Sequence, residues 1–249
     1  MGHRFELPQE AVVDASPERV WEAIATGPGW NSWFMGRNEI EPRAGGRVAF
    51  TIGDWTDTST VRTWDPPSRF VTSGDPGSDG TFHRFDYALQ QREGGRTAIR
   101  YVHSGMLGDD WEAEYEGMSE GDPVYFRKLL EYIEHFAGRF AVPINVAGPN
   151  VGYDRDGTMR TFRRALDVPD DVAVGARVTL RPEGFPAIDG VVDEISPSFL
   201  GVRSADAMYR FICGFDGTTF LGHHLFAQGA DQSSEEAAWS DWLERVFAR

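Results

Sequence analysis

The segment HRFELPQEAVVDA, starting at His3, places Phe5, Leu7, Ala11 and Val13 partly on alternate positions. A period of two predicts a strand with one buried face. The period then changes. Ser16-Pro17-Glu18 combines a capping hydroxyl, a first-turn proline and an acid at the positive end of a helix dipole. Val20, Trp21 and Ile24 follow at helical spacing, with Trp21 read as core. Gly27-Pro28-Gly29 ends that helix, and Trp30 to Phe34 is read as one more helical turn.

Short strand patterns come next: GRVAFTI, STVRTWD, RFVTSG, TFHRFDYALQ and RTAIRYVH. Gly45-Gly46, Asp65-Pro66-Pro67, Gly74-Asp75-Pro76-Gly77 and Gly94-Gly95 separate them, which suits an antiparallel meander. A long helix follows. Asp122 is its predicted cap, Pro123 its first-turn residue, and Phe126, Leu129, Leu130, Ile133, Ala137 and Phe140 its apolar stripe. The acidic run GDDWEAEYEGMSEGD before it reads as a solvated helix or loop, without the ligand spacing of a calcium loop.

The stretch AVPINVAGPNVGYDRDG shows no period and carries Pro143, Gly148 and Pro149. It sets a predicted boundary, with domains at 1–145 and 146–249. The second half repeats the scheme in reduced form. TMRTFRRAL is a short helix, GARVTL echoes GGRVAF, and VVDEISPSFLGVRS echoes TVRTWDPPSRFVTS. AMYRFICGF and TTFLGHHLFAQ are two more strands, and Glu235 to Arg249 is a closing helix with Trp239, Trp242, Leu243, Val246 and Phe247 on one face. Nothing before TMRTFRRAL reads as a good first strand. The expectation is a tandem duplication whose second copy is degenerate and has no active site of its own.

Charge narrows the function. Asp and Glu number 39 against 24 Lys and Arg, for a net charge of -15 over 249 residues. That balance argues against nucleic acid and against an anionic membrane as partners. Cys213 is the only cysteine, so an internal disulfide and a thiolate metal site are excluded. No apolar run reaches membrane-spanning length and MGHRFELPQE lacks a signal-peptide core, so the expected location is cytoplasmic. No phosphate loop, dinucleotide fingerprint, nucleophile elbow or chelating His pair occurs. No cofactor and no metal are expected, and no catalytic residue is assigned.

ASPERVWEAIATGPGWNSWF, GGRVAF, WDPPSRF and GRTAIRYVHSG, in that order and followed by a long helix, resemble the START-like (SRPBCC) superfamily. The branch they resemble is the one named for activators of the heat-shock-protein ATPase. The resemblance covers about residues 5–140. It implies an α+β helix-grip fold, with a curved antiparallel sheet around a long C-terminal helix and an apolar cavity between them. Members of the superfamily bind hydrophobic molecules, and some are cyclases or hydrolases.

Strand parity supplies the candidate ligand-binding residues. His83, Phe85 and Tyr87 share a face with Leu89, Tyr101 and His103 with Ile99, and Phe50 with Val48 and Ile52. Phe126, Leu130 and Ile133 of the long helix lie opposite; Trp30, Trp33 and Phe34 stand where the family has a cavity entrance, with Trp33 and Phe34 the candidates for its wall. The reading is noncatalytic binding of a small hydrophobic ligand. Two alternatives stay open. One is a polyketide cyclase-like or hydrolase-like enzyme using His83 or His103 with Tyr101; the other is an interaction module whose partner is a chaperone or a second copy.

Overall fold

A computed structural model describes residues 2–109, 111–152, 154–214 and 216–248. Asp110 of the acidic run, Tyr153 of the aperiodic stretch, Phe215 after the AMYRFIC strand and Arg249 of the closing helix lie outside the described residues. The chain divides into two compact units, Met1–Phe140 and Ala141–Arg249.

The first unit opens with β1 (His3–Val13). Helix α1 (Pro17–Ala25) follows, its first turn capped by the Ser16 hydroxyl, which accepts from the Arg19 N–H. The Gly27-Pro28-Gly29 run does more than stop α1. Thr26 caps a second short helix, α2 (Gly27–Trp30), by accepting from the Gly29 N–H at 3.0 Å. A Cβ on Gly29 would lie 2.0 Å from the Glu22 carbonyl oxygen, so this elbow requires glycine. Six strands then run β2 (Arg37–Ile40), β3 (Arg47–Ile52), β4 (Trp55–Asp65), β5 (Arg69–Ser73), β6 (Phe82–Gln91) and β7 (Thr97–Leu107). They form one antiparallel sheet in the order β1-β7-β6-β5-β4-β3-β2.

The long helix α3 (Trp111–His135) begins eleven residues before the predicted cap. Pro123 therefore lies inside the helix, where it supplies no N–H to the ladder. The acidic run is the helix's first half. His3 of β1 stacks on Trp111 with ring centroids 3.6 Å apart, which anchors that end. The apolar stripe also differs from expectation. Leu129, Tyr132, Ile133 and Phe136 are buried, whereas Phe140 lies beyond the helix and is exposed. Lys128, the only lysine of the chain, is buried on α3 with its ammonium 5.9 Å from the Tyr125 ring centre.

The second unit does have a first strand, contrary to expectation: β8 (Val142–Asn150). It carries Pro143 and Pro149 because it is an edge strand that pairs only with the last strand of its sheet. Helix α4 (Arg155–Ala165) follows, then β9 (Arg177–Leu180), β10 (Ile188–Ile195), β11 (Phe199–Arg203), β12 (Ala207–Cys213) and β13 (Thr218–Leu225), then α5 (Gln232–Val246). The sheet order is β8-β13-β12-β11-β10-β9. In both units the first strand pairs with the last, the rest run as a meander, and a helix closes the chain. The second core gathers Phe162 of α4, Phe211 of β12 and Trp239, Trp242 and Leu243 of α5. The architecture is α+β with two antiparallel sheets.

Candidate functional site

The register of β6 on β7 sets Tyr87 opposite Tyr101 and Phe85 opposite His103. Tyr87 and Tyr101 lie with ring centres 4.8 Å apart, and Phe85 stacks on His103 at 4.3 Å. Phe85, Tyr87 and Tyr101 of this row form one wall of a cavity of about 220 Å³. Val48 and Phe50 of β3, Ser59 of β4 and Thr72 of β5 continue the lining, with Trp30 and Phe34 opposite. Trp55 and Asp57 of β4 stand at its exposed rim. Phe34 lies 5.7 Å from Phe50, which in turn meets Trp55 edge-on at 5.9 Å.

Two larger concavities occur elsewhere, of about 490 and 520 Å³. They are more open and are lined by ionic side chains such as Arg177, Asp189 and Arg203, or Glu10, Arg92 and Arg100. The smaller cavity, lined mainly by aromatic and hydroxyl side chains, has the character of a small-molecule site.

The sequence-predicted residues divide around it. Phe34, Phe50, Phe85, Tyr87 and Tyr101 line the cavity. Trp33 does not: it is buried, and its indole N–H donates to the Ala23 carbonyl at 3.0 Å. Trp30 makes the matching bond to Ile24, so two indoles satisfy carbonyls at the end of α1. Phe126 stacks behind Tyr101 at 5.9 Å, Ile133 is buried further along α3, and Leu130 is half-buried there. The lining residues outside the candidate set are Trp30, Val48, Trp55, Asp57, Ser59 and Thr72. Thr72 and Ser59 sit on strands whose facing parity was left unassigned, although period-two counting could have reached them.

His83 and His103 form a separate constellation beside the cavity. His103 Nδ1 lies 2.8 Å from Asp122 Oδ2, His103 Nε2 lies 3.0 Å from His83 Nδ1, and His83 Nε2 lies 3.2 Å from Glu114 Oε1. Both carboxylates come from the first half of α3, so Asp122 holds a histidine rather than capping a helix. Ring protons can be counted. Two neutral imidazoles own two N–H groups, and three links between two rings and two carboxylates need three. With both rings neutral, only two of the three links carry a proton at any one time. Burial and the adjacent His103 push His83 below the usual histidine range, against the pull of Glu114 and Asp57. A proton added to His83 would complete the chain.

The tyrosine hydroxyls are also shifted. Burial raises both Tyr87 and Tyr101, so each remains a protonated donor throughout the physiological range. Among the described residues no group of three or more His, Cys, Asp or Glu side chains could hold a metal ion. Among the same residues no helix is long and apolar enough to cross a membrane.

Residues 14–134 match the family model described as activator of Hsp90 ATPase homolog 1-like protein. No curated protein matches the chain. Similar solved structures include a Bacillus halodurans protein at 22% identity, covering 53% of this chain and 99% of the other, with a TM-score of 0.45. The Aha1 dimer from Colwellia psychrerythraea is 20% identical over 52% of this chain and 96% of its own, with a TM-score of 0.42. A Staphylococcus aureus protein of unknown function is 17% identical over 53% and 94%, with a TM-score of 0.45. The matched span runs from the end of β1 through α3, taking in every lining residue of the cavity. Over residues 14–134 the N-terminal unit is thus a member of the activator of Hsp90 ATPase homolog 1-like branch of the START-like superfamily, with its α+β helix-grip fold.

Proposed function

We propose that the N-terminal unit binds a small, largely apolar molecule in the cavity lined by Phe34, Phe50, Phe85, Tyr87 and Tyr101. The cavity itself carries this reading: about 220 Å³ of space remains inside an otherwise close-packed aromatic interior. An apolar cavity of about 150 Å³ accommodates one benzene ring, so this one suits one or two rings. The second unit is read as a reduced copy of the first, on the strength of its matching strand order. The test is calorimetric titration of the full chain with a neutral hydrocarbon, together with native mass spectrometry of the chain purified without denaturant. Saturable one-site binding or a co-purifying small molecule supports the proposal. Neither being found would overturn it.

A second reading, acid–base catalysis on the bound molecule, is favoured by one observation. His83 and His103 are bonded to each other and to carboxylates, rather than to backbone, and His83 keeps 37% of its side chain exposed. Aryl-ester hydrolysis by the full chain that disappears in His83→Gln would support it. The family's name supports a third reading, protein binding to a chaperone, for which stimulation of a heat-shock ATPase is the readout.

A further inference from the structure

The cavity lining contains hydroxyl groups that make no hydrogen bond among the described residues. Tyr87 and Tyr101 are only 4% and 6% exposed, and neither hydroxyl is hydrogen-bonded to a described residue. Thr72 is 1% exposed, lines the same cavity, and its hydroxyl has no partner. A buried polar group without a partner is costly to the folded state. Thr72 is such a group, and Tyr87 and Tyr101 turn two more hydroxyl-bearing rings to the same cavity, so a bound molecule there meets unused hydrogen-bonding groups.

The character of that partner follows from charge and proton count. A tyrosine that stays protonated has an O–H to give, so the complement is an acceptor oxygen. The surroundings disfavour a charged one. The Asp122 carboxylate acts electrostatically on both tyrosines, Asp57 stands at the rim, and the chain as a whole carries a charge of -15. An anion would have to approach through this field and leave water for an apolar site. A cation would gain from the carboxylates, but Asp57 is exposed at the rim and Asp122 is engaged by His103, so no carboxylate inside the cavity replaces the water it would leave.

Building on the binding reading above, we infer that the cavity selects an uncharged, flat molecule of one or two rings that carries a carbonyl oxygen, with Tyr87 and Tyr101 as the donors to that oxygen. The apolar rings lie against Phe34, Phe50 and Phe85, and the carbonyl meets the hydroxyls. Fatty acids and aromatic carboxylates are rejected on charge.

Three probes of one shape test this: indane, 1-indanone and indane-1-carboxylate, titrated calorimetrically into the full chain. A hydrogen bond from each hydroxyl should make 1-indanone bind about tenfold more tightly than indane. The carboxylate should bind more weakly than indane. In Tyr87→Phe and Tyr101→Phe the ratio of the indanone and indane constants should fall toward one. Each change deletes a single oxygen, and thermal unfolding checks that the variants fold. If either variant fails to fold, the ratio measured on the unaltered chain decides alone. Indane binding with no preference for the ketone, or a carboxylate that binds best, overturns the inference and leaves the binding reading intact. No binding of any probe overturns the inference, and the binding reading falls with it when no small molecule co-purifies either.

Discussion

Replacing Asp122 with alanine strips the acceptor from a ring N–H that has almost no access to water. The His103 side chain is 5% exposed and Asp122 is its partner at 2.8 Å. We expect Asp122→Ala to cost about 1–3 kcal/mol of unfolding free energy, read from denaturant titration at neutral pH. A cost near zero would mean that His103 finds another acceptor. His83 adds a pH dependence whose sign is set by its depressed titration. The unfolded chain takes up this proton near pH 6.5, and the folded chain takes it up lower. Stability from His83 is therefore full above 6.5 and is lost as pH falls through the window beneath it. The denaturation midpoint should drop on acidification from pH 7.5 to 5.5, and less steeply in His83→Gln. Equal slopes in the two proteins would contradict this. The site was legible at the residue scale wherever parity governed. Phe85, Tyr87 and Tyr101 share one face because a strand alternates. Trp33 and Phe34 could not be separated this way. They are neighbours on a turn, and only the position of the α1 carbonyls sends one indole inward and leaves the other ring at the cavity.

At the scale of elements, α3 is a helix of two unlike halves. Before Pro123 its only buried residue is Gly117, whereas Val124, Phe126, Lys128, Leu129, Tyr132 and Ile133 are buried after it. The first half is held by the His3–Trp111 stack and the two carboxylate–histidine links rather than by a core. Amide hydrogen exchange should be faster across residues 111–122 than across 124–135. Uniform protection along α3 would refute that division. The same feature explains why the helix start was misread. An amphipathic stripe announces a helix, and a segment tied down by distant polar contacts shows none. Strand β8 escaped notice for a related reason, since its two prolines are tolerated only on an edge, and edge status is a property of the finished sheet. The β4-to-β7 meander was legible because turn residues punctuate it and half-buried strands alternate.

For the whole molecule, two units mean two cores. Trp242 is 1% exposed between Phe162, Phe211 and Trp239. Trp242→Ala should cost the second unit about 3–5 kcal/mol, measured by denaturant unfolding followed through tryptophan emission. A loss below about 1 kcal/mol would show that the site collapses without penalty.

The seclusion of Lys128 has a consequence for chemical modification. It is the only lysine, and it is 2% exposed. The basic side chains that meet solvent are therefore guanidinium and imidazole groups. Reagents and enzymes that acylate or conjugate lysine amines find no side chain to attack in the folded protein. Reaction at Lys128 would then report that α3 has come away from the sheet, and its time course would clock that opening without any label or mutation.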